Sequence, residues 1–426
     1  MAALSRPSAT DVPGLETIHS NSERLIIFLV GAIQFVNILD FMIVMPLGPD
    51  FAAALDIPTS HIGIIGGSYT AAAAVAGIVG SLFLDRFDRR VAIGVAMLGL
   101  VLGTALGGFA HGLNSMIFAR IVAGCFGGPA TSLSLAAIAD TVPPARRGKA
   151  LGAVMGAFSV ASVVGVPLGL ELSRRISWRA PFFAVSLLGI LLTCAAIAWM
   201  PSMRGHLSRT LSVQSQIKPR LFDSVTILSL ANSALIMVGV FAIVPNISAF
   251  VQHNLGYPRE KIGLLYLVGG IASFVMMRIV GMLVDRWGAT ALVSIGTLMY
   301  CSALVAGFIY PTAWMPVLFV FTLFMLSGSV RMVPMQTLAS RVPRPAQRAR
   351  FMSAQSAAQH FSSAIGAMGA SAFLIAAPSG RLEGMDQVAW VALALACLVP
   401  IGAFLLEGRV RQRERLEMPL ASPNSA

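Results

Sequence analysis

Of the 18 acidic residues, Asp40 is the one that falls well inside an apolar run of membrane-crossing length. Arg120 lies inside another such run. Burial disfavours a charged carboxylate and a nearby guanidinium favours it, so a small change in separation or hydration can move a proton on or off. Counted from Leu25 at 1.5 Å per residue, Asp40 lies about 22 Å along its run. Arg120 lies about 6–9 Å into a run entered from the opposite side, so the two share a depth and can pair. Two readings follow: a proton-coupling couple, or a permanent structural ion pair.

The first run also carries Gln34, Asn37, Phe41 and Val44 at helical spacing with Asp40, one face that is both polar and apolar and suits an amphipathic ligand. Later runs add Asn232, Pro245-Asn246, Gln355, Gln359 and His360. Gln34, Asn37, Phe41, Asn246, Gln359 and His360 are candidate ligand contacts. The amides serve equally well as interhelical glue, and His360 as a protonation site or a hydrogen-bonded packing residue. Arg331 sits about 13 Å from the end of its run, deep for an arginine to snorkel out. It either faces a cavity and holds an anionic or oxygen-rich group, or makes hydrogen-bonded helix contacts. Arg278 stands two turns from Asp285 and is expected to reach it.

The elements that hold these residues are set by composition. The chain has 426 residues, 56% apolar and only 11% charged, too few charges for an ordinary solvated surface. Twelve apolar runs of about 20 residues recur, the length needed to cross a bilayer as a helix. They centre near Val36, Ala74, Gly103, Gly127, Ser162, Leu191, Gly239, Ser273, Thr297, Phe324, Ile365 and Cys397. The first is read as a retained span, because Pro46 and Asp50 follow it rather than a small-residue cleavage site. The net charge of +12 comes from basic loops, Arg86 to Arg90, Arg146 to Lys149, Arg341 to Arg350 and Arg409 to Arg415, each after an even-numbered run. That is the positive-inside pattern with both termini cytoplasmic, and it points to lipid headgroups rather than nucleic acid. Arg174, Arg175 and Arg179 are the exception. Cys125, Cys194, Cys301 and Cys397 are isolated, so neither a disulfide nor a metal site is expected. The sequence holds no GxxxxGK[ST] phosphate loop, and no acid pair or nucleophile–base arrangement within the runs, which argues against an ATP-driven pump and against an enzyme.

Shifted by 200 positions, the chain superposes on itself. Pro58 falls on Pro258, Asp85-Arg86 on Asp285-Arg286, Gly128 on Gly328, Pro143 on Pro343 and Phe41 on Phe241. Six helices are therefore followed by six related ones: a tail over 1–24, bundles over 25–200 and 221–408, a polar linker over 201–220, and a tail over 409–426. Parallel halves with a site between them suit alternating access. The register also shows charges that vanish in couples. Asp40 and Arg120 map onto Val240 and Val320, and Arg89 and Asp140 onto Ala289 and Ser340, so each couple is expected to pair.

Four segments resemble the major facilitator superfamily, over essentially the whole chain. "SLFLDRFDRR" (Ser81 to Arg90) looks like the loop motif GxLaDRxGRR, with Ser81 and Asp88 in place of its glycines, and "GMLVDRWGA" (Gly281 to Ala289) like a second copy. "RIVAGCFGG" (Arg120 to Gly128) resembles RxxxGxxxG, and "GVPLG" (Gly165 to Gly169) part of the antiporter motif GPxxGG. With "ILDFMIVMPLGP" and "SWRAPFF" the chain is similar to the twelve-helix drug:proton antiporter branch, the arabinose-efflux-permease-like proteins. The resemblance implies an all-α fold of two six-helix bundles, with a cavity lined by spans one, four, seven and ten. It implies a monomer in a bacterial-type inner (cell) membrane, exporting small amphipathic or drug-like solutes in exchange for protons, with no cofactor beyond the proton gradient. It assigns conformational gating to Asp85, Arg86, Arg89, Asp140, Asp285, Arg286, Gly165, Pro167 and Gly169, with Arg89 and Asp140 as a latch and Asp85 capping a helix across the half-to-half contact. A sugar or organic-anion carrier, importers included, and a carrier-like sensor are the alternatives.

Overall fold

The computed structural model describes residues 20–203, 223–311, 315–343 and 348–417. Most of the expected linker and tails therefore lies outside the described residues. Among the described residues, eleven helices are long and apolar enough to cross a membrane. Spans one to six are Glu23–Ile43, Thr59–Gly80, Arg89–Gly108, Leu113–Thr141, Ala150–Arg175 and Ala180–Trp199. Spans seven to ten are Ser224–His253, Arg259–Trp287, Ala289–Ile309 and Val317–Ser340, and the last is Met385–Glu414. Between the last two lies span eleven, Arg348–Ser371, equally long but more polar because it carries Gln355, Gln359 and His360. In hydrocarbon a helix satisfies its own backbone, which is why every crossing segment is helical.

Each half repeats one packing scheme. Span two packs on four, and three on four and six; likewise eight packs on ten, and nine on ten and twelve. The halves meet through spans two and eleven and through spans five and eight. We call the end where span six exits and span seven enters the linker end, and the other the far end. At the far end, strands β1 (Ile375–Ala376) and β2 (Leu382–Glu383) form a small antiparallel hairpin, which Asn254 clamps through the Leu382 backbone.

Local chemistry sets the ends. Asp223 caps span seven by accepting from the Thr226 N–H at 2.8 Å. Asp88, at a position where the motif has glycine, adopts φ −56° and caps span three, accepting from the Arg90 N–H at 2.9 Å and the Met203 N–H at 3.1 Å. The second copy keeps its glycine, Gly288, at φ +81°, a conformation that favours glycine. The final helix runs on to Glu417, beyond the boundary expected at residue 408. Its extension is held by ion pairs from Arg413 to Asp223 and from Arg341 to Glu414, both 2.5 Å.

Candidate functional site

Asp40 and Arg120 meet as the sequence register requires. Arg120 Nη1 donates to Asp40 Oδ1 at 3.0 Å and lies 3.1 Å from Oδ2, and Thr104 Oγ1 of span three donates to Oδ1 at 2.7 Å. The pair is closed off, with Asp40 0% and Arg120 1% exposed. Tyr69 of span two lies under the guanidinium, its ring centre 4.6 Å from the Arg120 Cζ. Tyr69 also donates to Asn37 Oδ1 at 3.0 Å, and Asn37 Nδ2 donates to the Gly127 carbonyl at 2.9 Å and Thr131 Oγ1 at 2.7 Å. One carboxylate is thus tied to spans three and four and, through Arg120 and Tyr69, to span two.

The span-four motif explains how this closeness arises. Arg120, Gly124 and Gly128 lie at intervals of four, on one helix face. A Cβ on Gly124 would sit 2.2 Å from the Tyr69 carbonyl, and one on Gly128 2.6 Å from the Ala73 carbonyl. Only glycine lets spans two and four approach so closely, and that approach lays Arg120 over Tyr69.

Spans one and seven carry the cleft between the halves. Phe28 is 68% exposed, Ile227 is exposed too, and a Cβ on Gly31 or on Gly328 of span ten would meet nothing within 4 Å. Nearer the far end the cleft closes. Phe41 and its repeat mate Phe241 touch across the pseudo-symmetry axis, ring centres 5.8 Å apart. Beyond them Gly63 and Gly67 of span two press on Ala367 and Met368 of span eleven, and Gly270 of span eight presses on Ser162 and Val163 of span five. Span five has a π-helical turn at Ala161–Gly165, ahead of Pro167. Gly165 and Gly169 then face Leu39 and Ile43 of span one so tightly that a Cβ would stand 2.6 and 1.9 Å from them.

The far end is fastened by an ion pair that the sequence reading missed. Arg259, at the start of span eight, donates through Nε to Asp50 Oδ1 at 2.6 Å and through Nη2 to Oδ2. Ser173 of span five donates to the same carboxylate at 2.8 Å. Asp50 lies on the short helix Gly48–Ala54 that continues span one, so this fork joins the two halves. At the linker end, Arg89 pairs with Asp140 at 3.1 Å and Arg146 with Glu23 at 2.9 Å, each within the first half, and the pairs of the final helix lie within the second. The far end is closed and cross-linked, and the exposed Phe28 and Ile227 of spans one and seven lie toward the linker end.

The remaining expectations fare unevenly. Arg89 pairs with Asp140 as foreseen. The Asp85 side chain lies outside the described residues, while Arg86, Asp285 and Arg286 are exposed at the linker end. Phe41, Gln359 and His360 are partly open, whereas Gln34, Asn37, Asn246 and Arg331 are buried. Asn37 is committed to interhelical bonds, and Asn246 sits in the closed far-end layer with no hydrogen-bond partner for its amide among the described residues. Arg331 does not face the cleft: it is 0% exposed, its stem lies against Gly296 of span nine, and its Cζ stands 4.4 Å over the Tyr300 ring. Arg278 does not reach Asp285 either; it stacks on Phe274 at 5.4 Å, an aromatic face one turn away being nearer than a carboxylate two turns away. The unusual arginines after span five have local partners: Arg174 and Arg175 share Glu171, and Arg179 stacks on Trp178.

Comparison with known proteins agrees with this geometry. The family model described as Major Facilitator Superfamily matches residues 30–367 and 229–419. The purine ribonucleoside efflux pump NepI of Escherichia coli K12 is 28% identical over 284 residues, 65% of this chain and 68% of that protein. Among solved structures, a D-xylose–proton symporter superposes with a TM-score of 0.73 at 17% identity, covering 92% of this chain and 99% of the other. A bacterial homologue of the human lysosomal transporter Spinster, inward-facing and unoccupied, gives 0.71 at 14% identity, covering 93% and 98%. With twelve helices in two related bundles, a cleft between them and a family match along nearly its whole length, the chain belongs to the major facilitator superfamily and is a multi-pass membrane transporter rather than an enzyme.

Proposed function

We propose that the protein exports small amphipathic solutes in exchange for protons, by alternating access of the cleft between its halves. The observation that carries this reading is the Asp40–Arg120–Thr104 cluster: an ionisable group at this depth is costly unless it is paired, and such groups mark proton pathways in transporters. Its carboxylate ties span one to spans three and four, so its protonation alters how span one sits against them. The basic loops support a cytoplasmic linker end, and on this reading the cleft loads from the cytoplasm. A pH difference of one unit with 100 mV provides about 3.7 kcal/mol per proton. That sustains a gradient of a few hundredfold for a neutral solute at one proton each.

The apolar cleft wall of Phe28, Phe41, Ile227 and Phe241 favours a solute with an apolar or flat aromatic part. The relative's purine ribonucleosides, a flat base on a hydroxylated sugar, fall within that class. The test is purified protein in liposomes holding a pH-sensitive dye. Addition of a transported solute is expected to move protons in the opposite direction. Solute movement without proton movement, for every solute carried, overturns the coupling.

A further inference from the structure

Arg331 is 0% exposed, and none of its guanidinium nitrogens has a hydrogen-bond partner among the described residues. A guanidinium keeps its proton in proteins, so the charge is permanent. The buried acids among the described residues are already engaged: Asp40 by Arg120 and Thr104, Glu23 by Arg146, and Glu407 by Thr290 and Arg411. The Tyr300 ring, 4.4 Å from the Arg331 Cζ, eases the burial but carries no opposite charge. Asp40, which also lies deep in a span, is by contrast neutralised by its own arginine.

The position of this charge on span ten decides where its field acts. Arg331, Phe324 and Val320 share the face that packs on Tyr300 and Gly307 of span nine. Phe321 and Met325 share another, against Gly269 of span eight. Gly328 lies between those two faces, at the position that opens on the cleft. It stands three residues from Arg331, which puts the two Cβ positions about 5–6 Å apart. With the arginine side chain reaching away toward span nine, its charge lies about 10 Å behind the cleft surface, one helix width. Low-dielectric walls focus such a field into the cleft. At about 10 Å and an effective dielectric of about 40, between protein and water, a unit charge changes the local concentration of a monovalent ion about fourfold. The change is a rise for anions and a fall for cations.

We propose that Arg331 is a charge-selectivity residue: its uncompensated guanidinium holds the cleft at positive potential, so that neutral or anionic solutes are carried and organic cations are turned away. The inference rests on the reading of the protein as a carrier of amphipathic solutes and names the charge those solutes bear. Asp40 does not cancel the field while Arg120 holds it.

The test reads the field with probes that need no transport. Gly328→Cys, in the full chain with its four native cysteines replaced, is labelled in detergent by a cationic, a neutral and an anionic methanethiosulfonate. Each rate is divided by that of the same reagent with a free thiol in solution. The anion-to-cation ratio is expected to be about ten or more, to fall about tenfold in Arg331→Met and to persist in Arg331→Lys. A purely structural arginine would change the neutral reagent's rate along with the other two. A ratio at or below one with Arg331 in place overturns the proposal and needs no variant; an unchanged ratio in folded Arg331→Met overturns it too. In dye-loaded liposomes, ethidium, a flat aromatic cation suited to the apolar walls, is expected to move no protons while a neutral or anionic solute does. Proton exchange for ethidium overturns the selectivity and leaves the exchange reading standing. No proton movement with any solute removes that reading and the selectivity with it, whatever the labelling rates show.

Discussion

Removing the far-end fork should open the molecule on that side. Asp50 and Arg259 are 18% and 23% exposed, and the guanidinium engages both carboxylate oxygens. Exposed ion pairs contribute about 0.2–1 kcal/mol, and hydrogen bonds to charged groups about 1.5–3 kcal/mol. A two-pronged pair at this partial exposure is worth about 1–2 kcal/mol to the closed state. Asp50→Asn or Arg259→Gln is therefore expected to raise the ratio of far-end-open to far-end-closed molecules about 5- to 30-fold. The reporter is Ser371→Cys in a protein whose four native cysteines are replaced, because the Ser371 hydroxyl packs against Gly63 in the closed layer. Its labelling rate by a membrane-impermeant maleimide follows the open population. Both single variants should label faster, and the charge-exchanged double variant, Asp50→Arg with Arg259→Asp, should return toward the original rate. Unchanged rates in the single variants, or a double variant as fast as either, would refute the fork as the far-end fastening.

Other consequences follow from the same geometry. Gly124→Ala places a Cβ where the Tyr69 carbonyl stands, forcing spans two and four apart; a loss of about 1–3 kcal/mol is expected, read as a lower melting temperature in detergent. Asp88→Ala removes the cap of span three and should cost about 1 kcal/mol, whereas Ser202→Ala, at the edge of the same contact, should cost less. Burial would raise the Asp223 carboxyl, but hydrogen bonds from Thr226 and Arg413 outweigh it and hold the group below its ordinary value. With the folded-state value depressed, its stabilising effect is present above about pH 4 and is lost as pH falls through the folded value. Asp223→Asn should flatten that part of the acid-stability profile.

The fold was legible because its determinants are coarse. Length and hydropathy fix a crossing helix, and the 200-residue register fixes the halves; even Phe41 and Phe241, aligned by sequence alone, meet in space. Asp40 with Arg120 and Arg89 with Asp140 were legible because both members vanish together in the other half. The fork was not, because its members come from different halves. Asp50 maps onto Phe250 and Arg259 onto Thr59, so the same register held the signal, but only within-half couples were sought. Thr104 and Tyr69 carry no charge and gave no such mark. For Arg331 the sequence left two readings open because depth along a helix says nothing about rotation, and the glycine at position 296 that receives its stem lies on another span.

Asp40→Asn, reconstituted in liposomes beside the unsubstituted protein, tests the central claim most directly. Arg120 keeps its stacking on Tyr69, so the variant is expected to elute as the unsubstituted protein does and to exchange solute down its own gradient. It should not concentrate solute in response to an imposed pH gradient, whereas the unsubstituted protein should. An Asp40→Asn protein that still concentrates solute against its gradient when only pH differs across the membrane contradicts the account.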